Sequence, residues 1–376
     1  MMTLTDDQRM LADTVAPFMA DEGAISKQLR HWRDIGCKDG FGHGLWKQLA
    51  ELGLTGIIVP EAQGGAGLGQ VEANLVLEEI GRNLTPSPFL TTAVAAVRAL
   101  EGSAQADRWF PGIVAGDTVA ALAIDEGPHH APAAVALEAK RSGNGFSLSG
   151  AKQFVVHGAS ADVILVAART AGSAGETDGI TLFAVPKDAA GMTVENVALT
   201  DASKAARLTF DGCAVDADAV VGEVDGGWAP LSRALNAGRA GAAAELVGVA
   251  AGSAEMTFDY LKQRKQFGRL IGEFQALQHR AAHLYGEIEI ARAAALKAAQ
   301  LLDAGDTKAE LMVAVAKAKA GKVARLSVQE GVQMHGGIGM TDEHDIGFYM
   351  KRQAVLDELF GSPRFHSAEV ARLSGY

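Results

Sequence analysis

The sequence predicts an α+β chain in three parts: an α-helical domain over 1–117, a small β-barrel over 118–225 and an α-helical bundle over 226–376. Three observations predict it. Helix signals fill the stretch from Leu4 to about Ala115. From Val119 to about Val224, short β-type runs alternate with Gly, Asn and Asp. From Trp228 onward, apolar residues recur at steps of three and four over three long segments. A chain of 376 residues can bury a large core and form two or three domains.

The first helix opens at Thr5-Asp-Asp-Gln8, a side-chain acceptor followed three residues later by Gln. Trp46, Leu49 and Leu52 keep helical spacing until Gly53 stops the run. Next comes a glycine-rich loop, Gly56 to Gly69, and a further helix over Val71 to Ile80. An apolar run, a glycine loop and a helix superficially suggest a dinucleotide fold. That fingerprint needs glycines at first, third and sixth positions; Gly65 and Gly67 supply two, but the sixth is Gln70, and Pro60-Glu61 interrupt the turn. The nicotinamide reading is set aside.

In the middle part, Phe146–Ser149 follows the turn Ser142 to Gly145, and Val163–Val166, Ile180–Phe183 and Arg207–Phe210 are further strands. Residues 171–179 read as a polar loop. In the last part Leu231, Leu235, Arg239, Ala242, Leu246, Val249, Ser253, Met256 and Tyr260 line one helical face. Alanine and glycine between them let helices approach closely. Phe274 to Leu302 and Thr307 to Met334 are two more long helices, and such a bundle is expected to pack against other copies as well as itself.

Composition narrows the function classes. Hydrophobic residues make up 48% and charged residues 21%, ordinary for a globular chain, and the net charge of −11 argues against nucleic acid or an anionic membrane as partner. The sequence has neither a bilayer-spanning apolar run nor a signal-peptide pattern, so the cytoplasm is the expected location. Cys37 and Cys213 read as reduced thiols. No metal site is expected, since His129-His130 lack ligand spacing. Ser327 and Ser362 lack visible His and Asp partners for nucleophilic work. His335 reads as a loop contact, and His344 and His366 as exposed.

Two stretches carry the chemistry. Tyr260 to Gln278 places Arg264, Lys265 and Arg269 around Phe267-Gly268. Guanidinium forks grip phosphate and an exposed ring can stack on a base, although a basic helix end also suits solvent or the helix dipole. Gln329 to His344 contains Gly336, Gly337 and Gly339, whose open backbone amides suit a loop around a cofactor. Together the two stretches resemble the acyl-CoA dehydrogenase family, whose motifs read R-x-x-F-G-x-x-I-x-x-F-Q and Q-x-x-G-G-x-G. Gly56 to Gly69 resembles that family's V-P-E-x-x-G-G-x-G loop, and the resemblance spans the whole chain.

The resemblance implies the acyl-CoA dehydrogenase fold and FAD-dependent α,β-desaturation of an acyl-CoA thioester, in fatty acid or sterol side-chain β-oxidation, with electrons passing to an electron-transfer flavoprotein. It implies that Arg264 and Phe267 reach the pyrophosphate and adenosine side of FAD in a neighbouring subunit. Gln333 and Gly337 would contact the adenosine-ribose portion, Phe154 would stack on the flavin, and Arg239 would lie near the CoA and acyl pocket. Dimers or tetramers are implied in turn.

Departures from the family pattern cluster at the flavin's reactive end. The family's T-E-P-x-A-G-S-D loop is Ile124-Asp-Glu-Gly-Pro-His-His130 here, and its K-x-W-I-T is Lys152-Gln-Phe-Val-Val156. Phe154 can stack, but Val156 cannot donate a hydrogen bond. The usual catalytic glutamate falls at Phe360, and the alternative position before the helix arginine is Gly238. The catalytic base is therefore unknown. Asp357 and Glu358 are the nearest carboxylates, but an offset of two or three residues on a helix end turns a side chain away. The ending Leu359-Phe-Gly and the Met334-to-Thr341 loop resemble the small subunits of two-gene dehydrogenases, those of the pimeloyl-CoA type among them. Two expectations follow: a dehydrogenase subunit of a homo- or hetero-oligomer, or a non-catalytic partner completing the FAD site of a glutamate-bearing subunit.

Overall fold

The computed structural model describes residues 3–376. In chain order its helices begin with α1 (Asp6–Asp21), α2 (His31–Asp34), α3 (His43–Glu51), α4 (Gln70–Arg82), α5 (Val97–Leu100) and α6 (Ala104–Val114). Strands β1 (Ala120–Ala123), β2 (Glu138–Ser142), β3 (Gly145–Val156), β4 (Val163–Arg169), β5 (Ile180–Pro186), β6 (Met192–Ala198) and β7 (Lys204–Asp216) follow. Then come α7 (Trp228–Gln263), the short strands β8 (Lys265–Gln266) and β9 (Arg269–Leu270), α8 (Gln275–Asp303), α9 (Ala309–His335), α10 (Ile346–Glu358) and α11 (Pro363–Leu373). The helical, β and helical order is the one expected. Two compact units form: Met1–His31, Gln70–Thr85 and Arg239–Tyr376 make one, and Trp32–Gly69 with Pro86–Gly238 make the other.

The first unit is helical. Thr5 starts α1 with a capping box: its hydroxyl accepts from Gln8 N at 3.2 Å, and Gln8 Oε1 accepts from Thr5 N at 3.0 Å. α9 packs against α8, α10 and α11, and α4 packs against α1 and α8. Between α4 and α7 the backbones touch. A Cβ at Gly81, Gly248 or Gly252 would overlap the carbonyl of Glu245, Glu78 or Arg82 respectively, so glycine is required by contact. Beside that seam Arg82 binds Glu78, Glu79 and Glu255, and Arg292 binds Glu78 at 2.8 Å.

In the second unit the seven strands form one sheet, in the order β1-β4-β2-β3-β7-β6, with β5 on the other edge of β4. β1 and β2 run parallel to β4, and the remaining pairs are antiparallel. β4 and β5 are buried nearly throughout, as continuous apolar strands should be. The long pair β3 and β7 shifts register twice, between Leu148 and Gly150 and between Lys152 and Val155. No helix of the described residues is long and apolar enough to cross a membrane.

Candidate active site and cofactor-binding elements

The turn after α10 carries Phe360, the residue that the motif reading expects at the place of the family's base. Phe360 is buried and adopts a left-handed backbone, φ +59°, followed by Gly361 at φ +108°. Its carbonyl accepts from His366 Nε2 at 3.0 Å and from Arg239 Nε at 3.3 Å. The Arg239 guanidinium also lies over the Phe365 ring, 5.4 Å from its centroid. Ser362 caps α11, its hydroxyl accepting from Phe365 N at 3.2 Å, with Pro363 in the first turn. His366 therefore departs from expectation: it is 1% exposed, because the α11 cap turns it inward onto the Phe360 carbonyl.

The structure separates the two neighbouring carboxylates. Glu358 is exposed, whereas Asp357 is 1% exposed and faces α9. Asp357 accepts from Arg325 Nη2 at 2.7 Å and from Gln353 Nε2, and burial pushes its carboxyl above the usual range. A Cβ on Gly321 would lie 2.6 Å from its Oδ1, so a side chain there would displace it. Sequence reading missed Lys317 on α9. Its side chain is fully buried and donates to the carbonyls of Leu356, Asp357 and Gly361. A lysine on the same helical face as buried Val313, Ala314, Ala320 and Gly321 was the available signal, blurred by Lys319 and Lys322 nearby.

At the far end of α7, β8 and β9 form a hairpin whose two-residue loop is Phe267-Gly268, at φ +52° and +77°. Two left-handed residues match the twist of a tight hairpin and force the ring outward. Phe267 is 92% exposed, edge-on to Phe274 at 6.2 Å, while Arg269 lies over Phe274 at 4.0 Å. The Arg264 and Lys265 side chains are exposed and carry no ion pair or side-chain hydrogen bond among the described residues. Beneath the hairpin, Leu261, Ile271 and Met334 form an apolar cluster that ties it to the end of α9.

Gln333 and Gly337 are both exposed, and nothing lies within 4 Å of the Cβ direction at Gly336 or Gly337. His335 ends α9 inside a ring stack, 4.4 Å from Tyr260 and 4.5 Å from His344. Its Nδ1–H donates to Gly331 O at 2.7 Å, and burial holds its pKa below the ordinary value. His335 is thus part of the packing under the glycine loop.

Phe154 belongs to the second unit. It sits in the β3 bulge between Lys152 and Val155 with φ +53°, half-buried. An extra residue in a bulge leaves the ladder and re-aims its side chain. Next to it Lys152, 0% exposed, donates to Glu126 Oε1 at 2.7 Å and Ile124 O at 2.8 Å, and burial lowers its pKa. Asp125 binds His130 Nδ1 at 2.8 Å and Ala131 N at 3.0 Å, and its carbonyl accepts from Gln153 N. Val156 is buried.

Family models described as the N-terminal, middle and C-terminal domains of acyl-CoA dehydrogenase match residues 5–117, 125–213 and 225–373. The chain belongs to the acyl-CoA dehydrogenase family. The acyl-CoA dehydrogenase FadE12 of Mycobacterium tuberculosis is 30% identical to it, over 92% of this chain and 90% of the relative. A chain of the ChsE4–ChsE5 complex from Mycobacterium tuberculosis superposes with TM-score 0.89 at 26% identity, covering 100% of this chain and 99% of the other. A chain of the Tcur3481–Tcur3483 steroid acyl-CoA dehydrogenase superposes with TM-score 0.87 at 32% identity, covering 99% and 98%.

Acyl-CoA dehydrogenases bind FAD. The residues present fit its adenosine-diphosphate half. Arg264 and Lys265 are exposed cations with no side-chain partner among the described residues, Phe267 is an exposed ring, and the space beside Gly336 and Gly337 is open.

Proposed function

We propose that this acyl-CoA dehydrogenase works as one subunit of a hetero-oligomer that desaturates an acyl-CoA thioester between Cα and Cβ and passes electrons to an electron-transfer flavoprotein. The observation that carries the reading is the contrast between two places along α7. Arg264 and Phe267 are open beyond its C-terminal end, while Arg239, in its N-terminal third, is bound to the carbonyl of a buried Phe360. Twenty-five residues of helix separate Arg239 from Arg264, about 37 Å along the axis. No single flavin ring meets both places, which supports the hairpin serving a cofactor held mainly by a neighbouring subunit.

FAD, when bound, supplies the hydride acceptor. In this reading Arg264 holds the pyrophosphate, Phe267 covers the adenosine side, and Gln333 and Gly337 meet the ribose portion through side-chain and backbone polar groups. Phe154 stacks against the ring system. Arg239 fixes the wall of the acyl site through the residue 360 turn. Removal of the α-proton needs a carboxylate, and Phe360 is not one. Asp357 is committed to Arg325 and Gln353, and Glu358 points to solvent. The base would come from a glutamate-bearing partner subunit. The likeness to chains of the ChsE4–ChsE5 complex and of a steroid acyl-CoA dehydrogenase supports both the mixed assembly and a sterol side-chain or fatty acyl thioester as substrate. We also place domain boundaries after residues 117 and 225.

A second reading, a non-catalytic partner, is favoured by the flavin-edge loop. That loop lacks the family's threonine, and its Asp125 carboxylate is turned to His130 and Ala131 N. The test is to purify the chain with and without a glutamate-bearing partner and record flavin content and bleaching by acyl-CoA. The proposal expects bleaching in the mixed assembly that this chain's flavin-contact variants abolish. Full bleaching insensitive to them favours the second reading.

A further inference from the structure

Lys317 presents an ammonium whose hydrogen-bonding capacity is matched to one turn. It projects from α9 with a fully buried side chain, and its acceptors are Leu356 O at 2.8 Å, Asp357 O at 3.2 Å and Gly361 O at 3.2 Å. An ammonium has three donors and a neutral amine two, so these three carbonyls call for the charged form. The carbonyl left out of that set, Phe360 O, is taken by Arg239 from α7 and His366 from α11. Three helices therefore hold four carbonyls of one turn. The carboxylate of Asp357 takes its hydrogen bonds from Arg325 and Gln353, so the hydrogen-bond partners of the ammonium are backbone oxygens.

Such an arrangement exceeds what ending a helix requires. A lysine near a helix C-terminus complements the dipole from the surface, whereas here the charge is buried. Phe360 keeps a left-handed backbone that a non-glycine residue holds only where its surroundings over-determine it. We infer that Lys317 is a positioning residue that holds residue 360, through the turn's carbonyls, in the conformation that shapes the acyl site. This rests on the reading that residue 360 lines that site.

The charged and titratable groups around the ammonium are Asp357 and Glu358 on α10, Arg239 on α7 and His366 on α11. Burial outweighs the two carboxylates and brings Lys317 down to about 8. Above that pH the amine loses a donor and one carbonyl of the turn goes unserved.

The experiment uses the flavin-loaded assembly labelled with fluorophenylalanine, the Phe360 resonance being assigned by Phe360→Leu. The ¹⁹F spectrum, kcat and KM are followed from neutral to alkaline pH for the natural protein and Lys317→Met. Lys317→Met should move or split the Phe360 resonance and lower kcat by up to roughly 100-fold, as a misplacement of about 1 Å does, with KM much less affected. In the natural protein the resonance and kcat should change together with a midpoint near pH 8, and the variant should lack that change. An unmoved resonance in a folded variant, or a flat titration in the natural protein, overturns the inference. Should Lys317→Met fail to fold, the natural protein's titration decides alone. Should the assembly turn over no acyl-CoA, the acyl-site reading of residue 360 fails, while the ¹⁹F titration still decides whether Lys317 holds the turn.

Discussion

Arg264 is a guanidinium left without an anion, and an unpaired fork on a hairpin is the simplest signature of a phosphate contact in this chain. Arg264→Ala should weaken FAD binding by about 1.5–3 kcal/mol, the worth of a charge-assisted hydrogen bond. Titration of the flavin-free protein with FAD measures this, and an unchanged affinity would contradict the assignment. Lys317 gives a prediction of opposite character. Its folded pKa, about 8, is below the 10.5 of an ordinary lysine. Between those values the unfolded chain holds a proton that the folded chain has released, so this group makes stability rise with pH across the window. The gain is about 3 kcal/mol at most. Chemical denaturation at pH 7.5 and 10 should show a rise that Lys317→Met lacks; equal pH slopes in the two proteins would count against a depressed pKa. Of these residues, Arg264, Phe267 and Gly337 could be proposed from the sequence because a motif names them directly, and the structure finds all three exposed. Lys317 and His366 could not, because their partners lie 39 to 44 residues and 6 residues away across turns whose direction no local pattern states.

Among elements, the helices were legible from their period, down to the Thr5 capping box. Strands β4 and β5 were legible as apolar runs. β1 is four residues of Ala and Leu, and β6 is mostly exposed, so neither carries a strong β signal. The β3 bulge was hidden too, since one extra residue against a partner strand is visible only once the register is known. The α4–α7 seam explains why glycines sit within long helices despite their poor propensity. Gly248→Ala would set a methyl against the Glu78 carbonyl, and backbone cannot give way as a side chain does. A loss of about 1–3 kcal/mol is expected, read as a lowered denaturation midpoint. Gly286→Ala, where nothing lies within 4 Å, should be neutral or slightly stabilising by comparison. Equal effects at the two sites would mean that the seam is looser than described.

At the scale of the whole molecule, the open hairpin and the exposed Phe267, Ile338 and Met340 support the proposal that another subunit covers them. Sedimentation at micromolar concentration should find a dimer or larger species, and a stable monomer would contradict the shared cofactor site. Family and fold were legible because the Gly56–Gly69 loop and the motifs at the C-terminal ends of α7 and α9 come in the family's order along the chain. The proposed want of a base rests on the motif reading that sets Phe360 in the carboxylate's place; the structure adds that Asp357 binds Arg325 and that Glu358 is exposed. The most direct test is therefore steady-state desaturation of a panel of acyl-CoA thioesters by this chain alone and by the chain mixed with a glutamate-bearing partner subunit. General-base help is worth roughly 10²–10⁴ in rate, so the chain alone should fall short of the mixture by at least the lower of those factors. Equal turnover by this chain alone would contradict the account.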